Sequence, residues 1–226
     1  MGTIYLVRHG QASFGADDYD QLSDLGVRQS ERLGQYWRAR FGEQLRFDAV
    51  LTGTLRRQAQ TWQAIADGAG LAHKRIEWPG LNEYNGEAII RALHPGPLPK
   101  PDTPERYREH FRLLREGLAR WIAGQITPEG MPSWRNFASG VMSALNHVRA
   151  HHAAGVTLIV SSGGPIATAV GQLLGASPEA IIEMNLRIRN TGVTELACTP
   201  RRCALVSYNT LPHLNDAVHA GWITHT

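Results

Sequence analysis

Four predicted strands of this chain each lead into polar or glycine residues that could bind and transform an oxyanion. In chain order these residues are Arg8, His9, Gly10, Arg57, Glu83, Ser162 and Gly163. Guanidinium groups hold phosphate oxygens through paired hydrogen bonds, and the backbone N–H groups of a Gly-rich helix start add further donors. A neutral imidazole among such groups can act as a nucleophile or a base. The residue types therefore predict a phosphate site.

The pattern around these residues is an alternation of strands and helices. Strands are predicted at 3–7, 48–52, 75–78 and 156–160, with two further strand-like runs at 192–198 and 203–208. Helices are predicted at 24–40, 54–70, 103–123, 133–154 and after 163 as far as 174. Such alternation implies a parallel sheet with right-handed crossovers, and ligands bind at the carboxyl ends of its strands. We expect an α/β fold of three layers: a doubly wound, mainly parallel sheet flanked by helices.

Composition sets limits on the class of protein. The chain has 226 residues, of which 42% are hydrophobic and 19% charged, as in soluble globular proteins. This length suffices for one sizeable core, so we predict a single domain over residues 1–226. The formal net charge is only +3, which gives no reason to expect a nucleic-acid partner. No apolar run approaches the ~18 residues that a membrane-spanning helix needs.

Two features bear on the cellular compartment. The first residues do not show the basic region and apolar stretch of a secretion signal. Cys198 and Cys203 have no further Cys or His close by in the sequence, so they do not read as a zinc site. We predict two free thiols in a reducing compartment, and hence a cytoplasmic protein.

Read from the residues alone, the site has simpler explanations as well. The Ser-Ser-Gly-Gly run at 161–164 also fits a tight connection between a strand and a helix, where glycine supplies unusual backbone angles. Arg57 also fits a solvated surface arginine, because helix starts near sheet edges often carry exposed charge. The order of the segments along the chain distinguishes these explanations from a functional one.

That order and spacing resemble the histidine phosphatase superfamily, the phosphoglycerate-mutase-like group, over essentially the whole chain. The segments that carry the resemblance are LVRHGQ at 6–11, LSDLGVRQ at 22–29, TLRRQAQT at 54–61 and LNEYNG at 81–86. The resemblance implies that His9 attacks phosphorus to form a phosphohistidine and that Glu83 is the proton donor. By register, Arg57 rather than Arg56 corresponds to the second phosphate-binding arginine of the family.

The same resemblance implies a set of substrate-binding residues and a reaction without cofactor or metal. The substrate-binding residues are Arg8, Gly10, Arg57, Ser162 and Gly163. The expected substrate is a small phosphorylated metabolite. Both a monomer and a homodimer remain open.

The sequence departs from the family at one important position. Where the family has a second histidine, in a Val-Ser-His-Gly-Gly context, this chain has Ser162. A serine hydroxyl can donate to a phosphate oxygen but brings no positive charge, and loss of one such donor typically costs ~10²–10³ in rate. Another histidine could fill the gap, and the candidates are His94, His110 and His213. Two hypotheses stay open: a phosphomonoester hydrolase of reduced activity, and a non-catalytic protein that binds a phosphorylated ligand or regulates.

Two further features concern the type of reaction and the substrate. Phosphoglycerate mutases have an Asn where this chain has Gly15, and an Arg-His pair that is missing from 82–86, so mutase activity is disfavoured. A helical, Arg-rich insertion at about 88–131 is expected to lie over the edge of the site. It either selects the part of the substrate that is not phosphate or is a solvated cap whose charges keep it soluble.

Overall fold

The computed structural model describes residues 1–13, 20–94, 96 and 102–225. Gly15 and most of the proline-rich stretch before residue 102 lie outside these residues. The strands are β1 (Gly2–Arg8), β2 (Ala49–Thr52), β3 (Ile76–Glu77), β4 (Val156–Ser161), β5 (Val193–Cys198) and β6 (Cys203–Thr210). The helices are α1 (Asp24–Phe41), α2 (Arg56–Ala69), α3 (Gly86–Leu93), α4 (Pro104–Ile122), α5 (Trp134–His151), α6 (Gly163–Leu174) and α7 (Pro178–Arg187).

The six strands form one sheet in the order β3-β2-β4-β1-β5-β6. Strands β3, β2, β4 and β1 are parallel, whereas β5 and β6 run antiparallel at the other edge. This difference follows from the connections, because parallel neighbours need long crossovers while β5 and β6 are joined by a short turn at 199–202. The predicted mainly parallel α/β sheet is confirmed.

Two apolar clusters lie on the two faces of the sheet. Ile159 of β4 belongs to the cluster that packs against α4, α5 and α6, whereas Leu158 and Val160 belong to the cluster beneath α1 and α2. This division reflects the alternation of side chains along a strand. Helices therefore cover both faces, which gives the three layers and leaves the ends of the parallel strands to carry the site.

Helix α7 was not predicted from the sequence. It begins after Ser177, whose side chain accepts a hydrogen bond from the amide of Ala180, and it has Pro178 in its first turn. A serine N-cap followed by proline is a standard helix start, so a local signal was present.

The prediction of two free thiols is wrong. Cys198 at the end of β5 and Cys203 at the start of β6 are joined by a disulfide bond. The two residues are direct cross-strand partners in the β5–β6 hairpin, so the turn at 199–202 places their side chains together. That part of the argument for a cytoplasmic location therefore falls away. None of the helices in the described ranges has the length and apolar content that a membrane crossing requires.

Candidate active site

His9 lies directly after β1 and is buried, with 2% of its surface exposed. Its amide donates to the carbonyl oxygen of Ser161 at 2.8 Å, which continues the pairing of β1 with β4. Its Nδ1 lies 2.7 Å from the carbonyl oxygen of Gly10. Because a carbonyl oxygen only accepts, we assign the hydrogen to Nδ1. Nε2 then carries the lone pair that an attacking atom requires, and in this structure that lone pair accepts a hydrogen bond from Nε of Arg57.

The surroundings of His9 favour the neutral ring. Burial, and then the positive charges of Arg8 and Arg57, lower the pKa of His9 well below its usual value. The hydrogen bond to Gly10 acts in the opposite direction but is the smallest of these causes. A neutral imidazole is the form that can act as a nucleophile near neutral pH.

Arg57 reaches His9 from the first turn of α2. Its Nε lies 3.2 Å from Nε2 of His9, and its Nη1 donates to Oδ1 of Asp20 at 2.8 Å. The other carboxylate oxygen of Asp20 accepts from the amide of Arg56 at 2.9 Å. Since Leu55 supplies no side-chain cap to α2, Asp20 caps this helix from a distant segment. One carboxylate thus caps the helix and orients the arginine.

Arg8 is half-buried at the end of β1. One of its terminal nitrogens donates to the carbonyl oxygens of Ile188, at 2.5 Å, and His225, at 2.8 Å. The backbone of the same turn is also held by Asn190 and Thr191. Nδ2 of Asn190 donates to the carbonyl oxygen of His9, and the amide of Thr191 donates to the carbonyl oxygen of Arg8, both at 3.1 Å. The turn that carries Arg8 and His9 is therefore held by the segment that leads from α7 into β5.

Glu83 follows β3 and the short helical turn Pro79–Leu81. Its Oε2 accepts from the amide of Gly164 at 3.1 Å, and its Oε1 from the amide of Tyr84 at 3.2 Å. Burial raises the pKa of Glu83, although both amides and the charges of Arg57 and Arg8 act in the opposite direction. The carboxyl group is thus held at the start of α6, in surroundings that favour a protonated fraction.

Ser162 and Gly163 stand where β4 passes into α6. Ser162 is fully buried and makes no capping bond to the helix, and its Oγ accepts from Nε2 of Gln58 at 2.9 Å. At Gly163, a Cβ atom would lie 2.7 Å from Oδ1 of Asn185 and 2.9 Å from Cγ2 of Ile188, so a larger residue here would require these side chains to shift. Ser162 is therefore buried at the start of α6, with Gln58 as its hydrogen-bond partner.

Gly10 has a packing role in this arrangement. Its amide donates to Oγ1 of Thr61 at 3.0 Å, and a Cβ atom here would lie 2.4 Å from the carbonyl oxygen of Gly26. The absence of a side chain lets the turn after His9 approach α1 closely.

The three histidines that could replace the missing one have their contacts elsewhere. His94 is exposed and bonds to the carbonyl oxygen of Gly96, and His110 is a half-buried residue of α4. His213 is buried, with its Nε2 2.9 Å from Oγ1 of Thr191, and burial lowers its pKa to about 3. His213 thus contacts Thr191, whose amide bonds to the carbonyl oxygen of Arg8, the residue before His9.

The helical insertion packs against the main core and contacts the site region through Trp121, whose ring centroid lies 5.9 Å from that of Tyr84. Its arginines point elsewhere. Within or next to α4 the ion pairs are Arg106–Asp102, Arg108–Glu105, Arg112–Glu109 and Arg120–Glu116. These contacts favour the interpretation of the charged face as a solvated cap.

Sequence reasoning missed four residues that this geometry brings to the site: Asp20, Gln58, Asn190 and Thr191. Gln58 stood beside a recognised arginine, and the Asn-Thr-Gly run at 190–192 marks a turn before β5. Asp20 carried no local signal, because only the folded chain brings it to α2.

Comparisons with known proteins fit this arrangement. The family model for the histidine phosphatase superfamily (branch 1) matches residues 4–211. No curated protein matches the chain in sequence. Similar solved structures share its fold, at low identity. Phosphoserine phosphatase from Entamoeba histolytica, in complex with 3-phosphoglyceric acid, has a TM-score of 0.64 at 20% identity, covering 95% of this chain and 100% of that one.

Two more structures show the same fold. Mycobacterial glucosyl-3-phosphoglycerate phosphatase has a TM-score of 0.64 at 19% identity over 92% of this chain and 98% of its own. Phosphoglycerate mutase from Bacillus anthracis has a TM-score of 0.62 at 17% identity over 93% of this chain and 94% of its own. With the family model matched over nearly the whole length, this chain belongs to the histidine phosphatase superfamily, branch 1.

Proposed function

We propose that this protein hydrolyses a small phosphomonoester through a phosphohistidine intermediate on His9. Membership of the family supports phosphatase or mutase chemistry on a phosphorylated metabolite. The observation that carries the finer proposal is the state of His9. Its Nδ1 is bound to a carbonyl oxygen, while its Nε2 faces Arg57 at 3.2 Å. The ring is thus oriented and kept neutral beside a cation that can hold a phosphoryl group.

In the first step, Nε2 of His9 attacks phosphorus and the bond between phosphorus and the ester oxygen breaks. Glu83 gives its proton to the leaving alkoxide, so the alcohol departs neutral. Arg57 and Arg8 hold the charge on the phosphoryl oxygens, since phosphoryl transfer depends mainly on positioning and electrostatic stabilisation. The amide of Gly163, at the start of α6, is a further donor in this proposal.

In the second step, water attacks the phosphohistidine. Glu83, now a carboxylate, takes a proton from that water, and the bond between phosphorus and Nε2 breaks. Inorganic phosphate leaves, and His9 and Glu83 return to their starting states. Atoms and protons balance without metal or cofactor.

Several observations favour hydrolysis over mutase chemistry. The segment at 82–86 has no Arg-His pair, and Asn82 and Asn85 bond instead to Thr54 and to the start of α3. The similar structures include phosphatases named for phosphoserine and for glucosyl-3-phosphoglycerate. These names support a small phosphorylated metabolite as the class of substrate.

The test is hydrolysis of p-nitrophenyl phosphate from pH 5 to pH 8 in EDTA, by the parent protein and by His9→Ala. We expect turnover by the parent and none by His9→Ala, while His94→Ala, which removes an exposed histidine, keeps parental activity. Rapid quenching should trap a phosphoenzyme that is labile in acid and stable in alkali, as phosphohistidine is.

Two results would contradict the proposal. Equal activity of the parent and His9→Ala would point to a contaminating phosphatase. Silence of the parent on a panel of phosphomonoesters, together with binding of inorganic phosphate that His9→Ala weakens, would favour the non-catalytic phosphate-binding hypothesis.

A further inference from the structure

Gln58 and Ser162 form a buried pair in the wall of the site. Both residues are 0% exposed. Gln58 follows Arg57 in the first turn of α2, and its Nε2 donates to Oγ of Ser162 at 2.9 Å. Because Oγ accepts this bond, the serine hydroxyl retains its own hydrogen as a donor. The glutamine therefore orients a group that stands at the end of β4, next to the turn that holds His9.

The second hydrogen on the side-chain nitrogen of Gln58 forms a hydrogen bond to a third segment of the chain. Nε2 of Gln58 also donates to the carbonyl oxygen of Leu81 at 3.0 Å. That oxygen accepts a further bond from Oγ of Ser161, at 2.7 Å. Leu81 precedes Glu83 by two residues, and Glu83 itself bonds to the amide of Gly164 in α6. One side chain thus links α2, the start of α6 and the loop that carries the proposed acid.

The space around Gln58 is filled. A Cβ atom on Gly53 would lie 2.0 Å from Oε1 of Gln58. Among the residues that the structure describes, Oε1 has no hydrogen-bond partner. The side chain is therefore held by its nitrogen and by close packing, and its volume is part of the wall.

This packing limits which side chains fit at position 162, where the resemblance to the family implies a histidine. An imidazole with its Cγ in the place of the serine Oγ would extend its ring into the space of the Gln58 amide, which is only 2.9 Å away. With χ1 as in the serine, the ring would overlap the amide. The size that residue 162 can have is therefore coupled to the side chain at 58.

We propose that Gln58 is a positioning residue that acts through Ser162 and the Leu81 carbonyl, and that the Gln58–Ser162 pair takes the place of the second histidine of the family. This inference rests on the proposed function. Gln58 keeps α6 and the Glu83 loop at the spacing that proton transfer needs. An imidazole introduced alone at position 162 is therefore harmful, and removal of the glutamine makes room for it.

The test compares Ser162→His with the double variant Gln58→Ala/Ser162→His, by kcat and KM for p-nitrophenyl phosphate and by unfolding temperature. We expect Ser162→His alone to lower kcat by about tenfold or more, and Gln58→Ala in that background to restore at least tenfold, because contacting residues couple at this scale. The matched control is Gln63→Ala in the same background, since Gln63 is an exposed residue of the same helix.

A second variant separates positioning from packing. Gln58→Met keeps most of the volume and removes both hydrogen bonds of the amide. We expect kcat to fall by about tenfold while KM stays within about twofold, since the substrate's binding groups are kept and the acid loop is released. An unchanged kcat with only a lower unfolding temperature would overturn the positioning role.

The remaining outcomes distinguish this inference from the proposed function. A parent without turnover would overturn the proposed function and the positioning role with it. Additive effects of the two substitutions on an active parent would overturn only the inference about Gln58. A gain in kcat from Ser162→His alone would also overturn the inference about Gln58. Equal rescue by Gln63→Ala would overturn it as well.

Discussion

Arg57 in α2 and the exposed arginines of α4 have opposite surroundings. Arg57 of α2 is 7% exposed and contacts His9 and Asp20, which come from two other segments of the chain. In α4, the side chains of Arg108 and Arg112 are 75% and 59% exposed and contact carboxylates three residues away in the same helix. The many arginines of α4 therefore lie on a solvated helix face, while the one buried arginine in the first turn of α2 contacts the candidate site.

Energetics explain this difference. Exposed ion pairs within a helix contribute about 0.3–0.5 kcal/mol each, because water screens the charges and side-chain entropy opposes the contact. A buried guanidinium has lost most of its hydration, so its partners must replace that hydration. Arg57 is therefore tied to one geometry, whereas Arg108 and Arg112 of α4 are not.

The largest expected effect comes from Arg57→Ala. We expect kcat/KM for p-nitrophenyl phosphate to fall by at least ~10²–10³, the usual result of removing a donor to transition-state charge. The matched control is Arg56→Ala, because Arg56 is the exposed neighbour in the same helical turn. If both variants lost activity equally, the difference in burial between Arg57 and Arg56 would not decide which arginine contributes to activity.

The dependence of kcat/KM on pH is the second prediction. His9 must be neutral, so activity rises as pH increases through its pKa, which burial and two arginines lower. Glu83 must be protonated, so activity falls as pH increases through its pKa, which burial raises. We expect an optimum on the acidic side of neutrality, with kcat/KM changing about tenfold per pH unit outside the range between the two pKa values.

The same pH profile tests whether an arginine of α2 and an arginine of α4 differ in their effect on the two pKa values. The charge of Arg57 lowers the pKa of both His9 and Glu83, so Arg57→Gln should move both limbs to higher pH. Arg112→Ala should leave them in place. An unchanged profile in Arg57→Gln would contradict the electrostatic role given to this residue.

A smaller effect is expected from Asp20→Asn. Asp20 orients Arg57 and caps α2, so its neutral analogue should weaken both contacts without removing them. We expect kcat/KM to fall about tenfold, equal to about 1.4 kcal/mol of transition-state stabilisation. Asp24→Asn, in the exposed first turn of α1, is the matched control and should keep parental kinetics.

The smallest effect is expected from removing Arg108 and Arg112 together by alanine substitution. Activity should stay within about twofold of the parent, and the free energy of unfolding should stay close to that of the parent, because both ion pairs are solvated. Kinetics and chemical denaturation measure the two quantities. A large rise in KM would restore the hypothesis that this face of the insertion binds substrate.

Sequence reasoning named the parts of the candidate site that follow strands. His9, Arg57 and Glu83 were predicted because parallel strands end at one edge of the sheet and because they lie in segments that resemble the family motifs. Contacts between distant segments were out of reach, since Asp20 has no local pattern and the partner of Gln58 is set by folding. The disulfide was missed for the same reason, because it depends on the hairpin register that pairs Cys198 with Cys203.

The place of β4 in the sheet has a consequence for how the chain acquires its shape. Although β4 follows β2 by about 100 residues and β1 by about 150, it lies between them. Until that strand has left the ribosome, β1 has no neighbouring strand and β2 has only β3, so both present open edges, which are prone to association with other chains. Pairing over such sequence distances is slow. Since the amide of His9 bonds to Ser161 of β4, the nucleophile is oriented only once this late strand has entered.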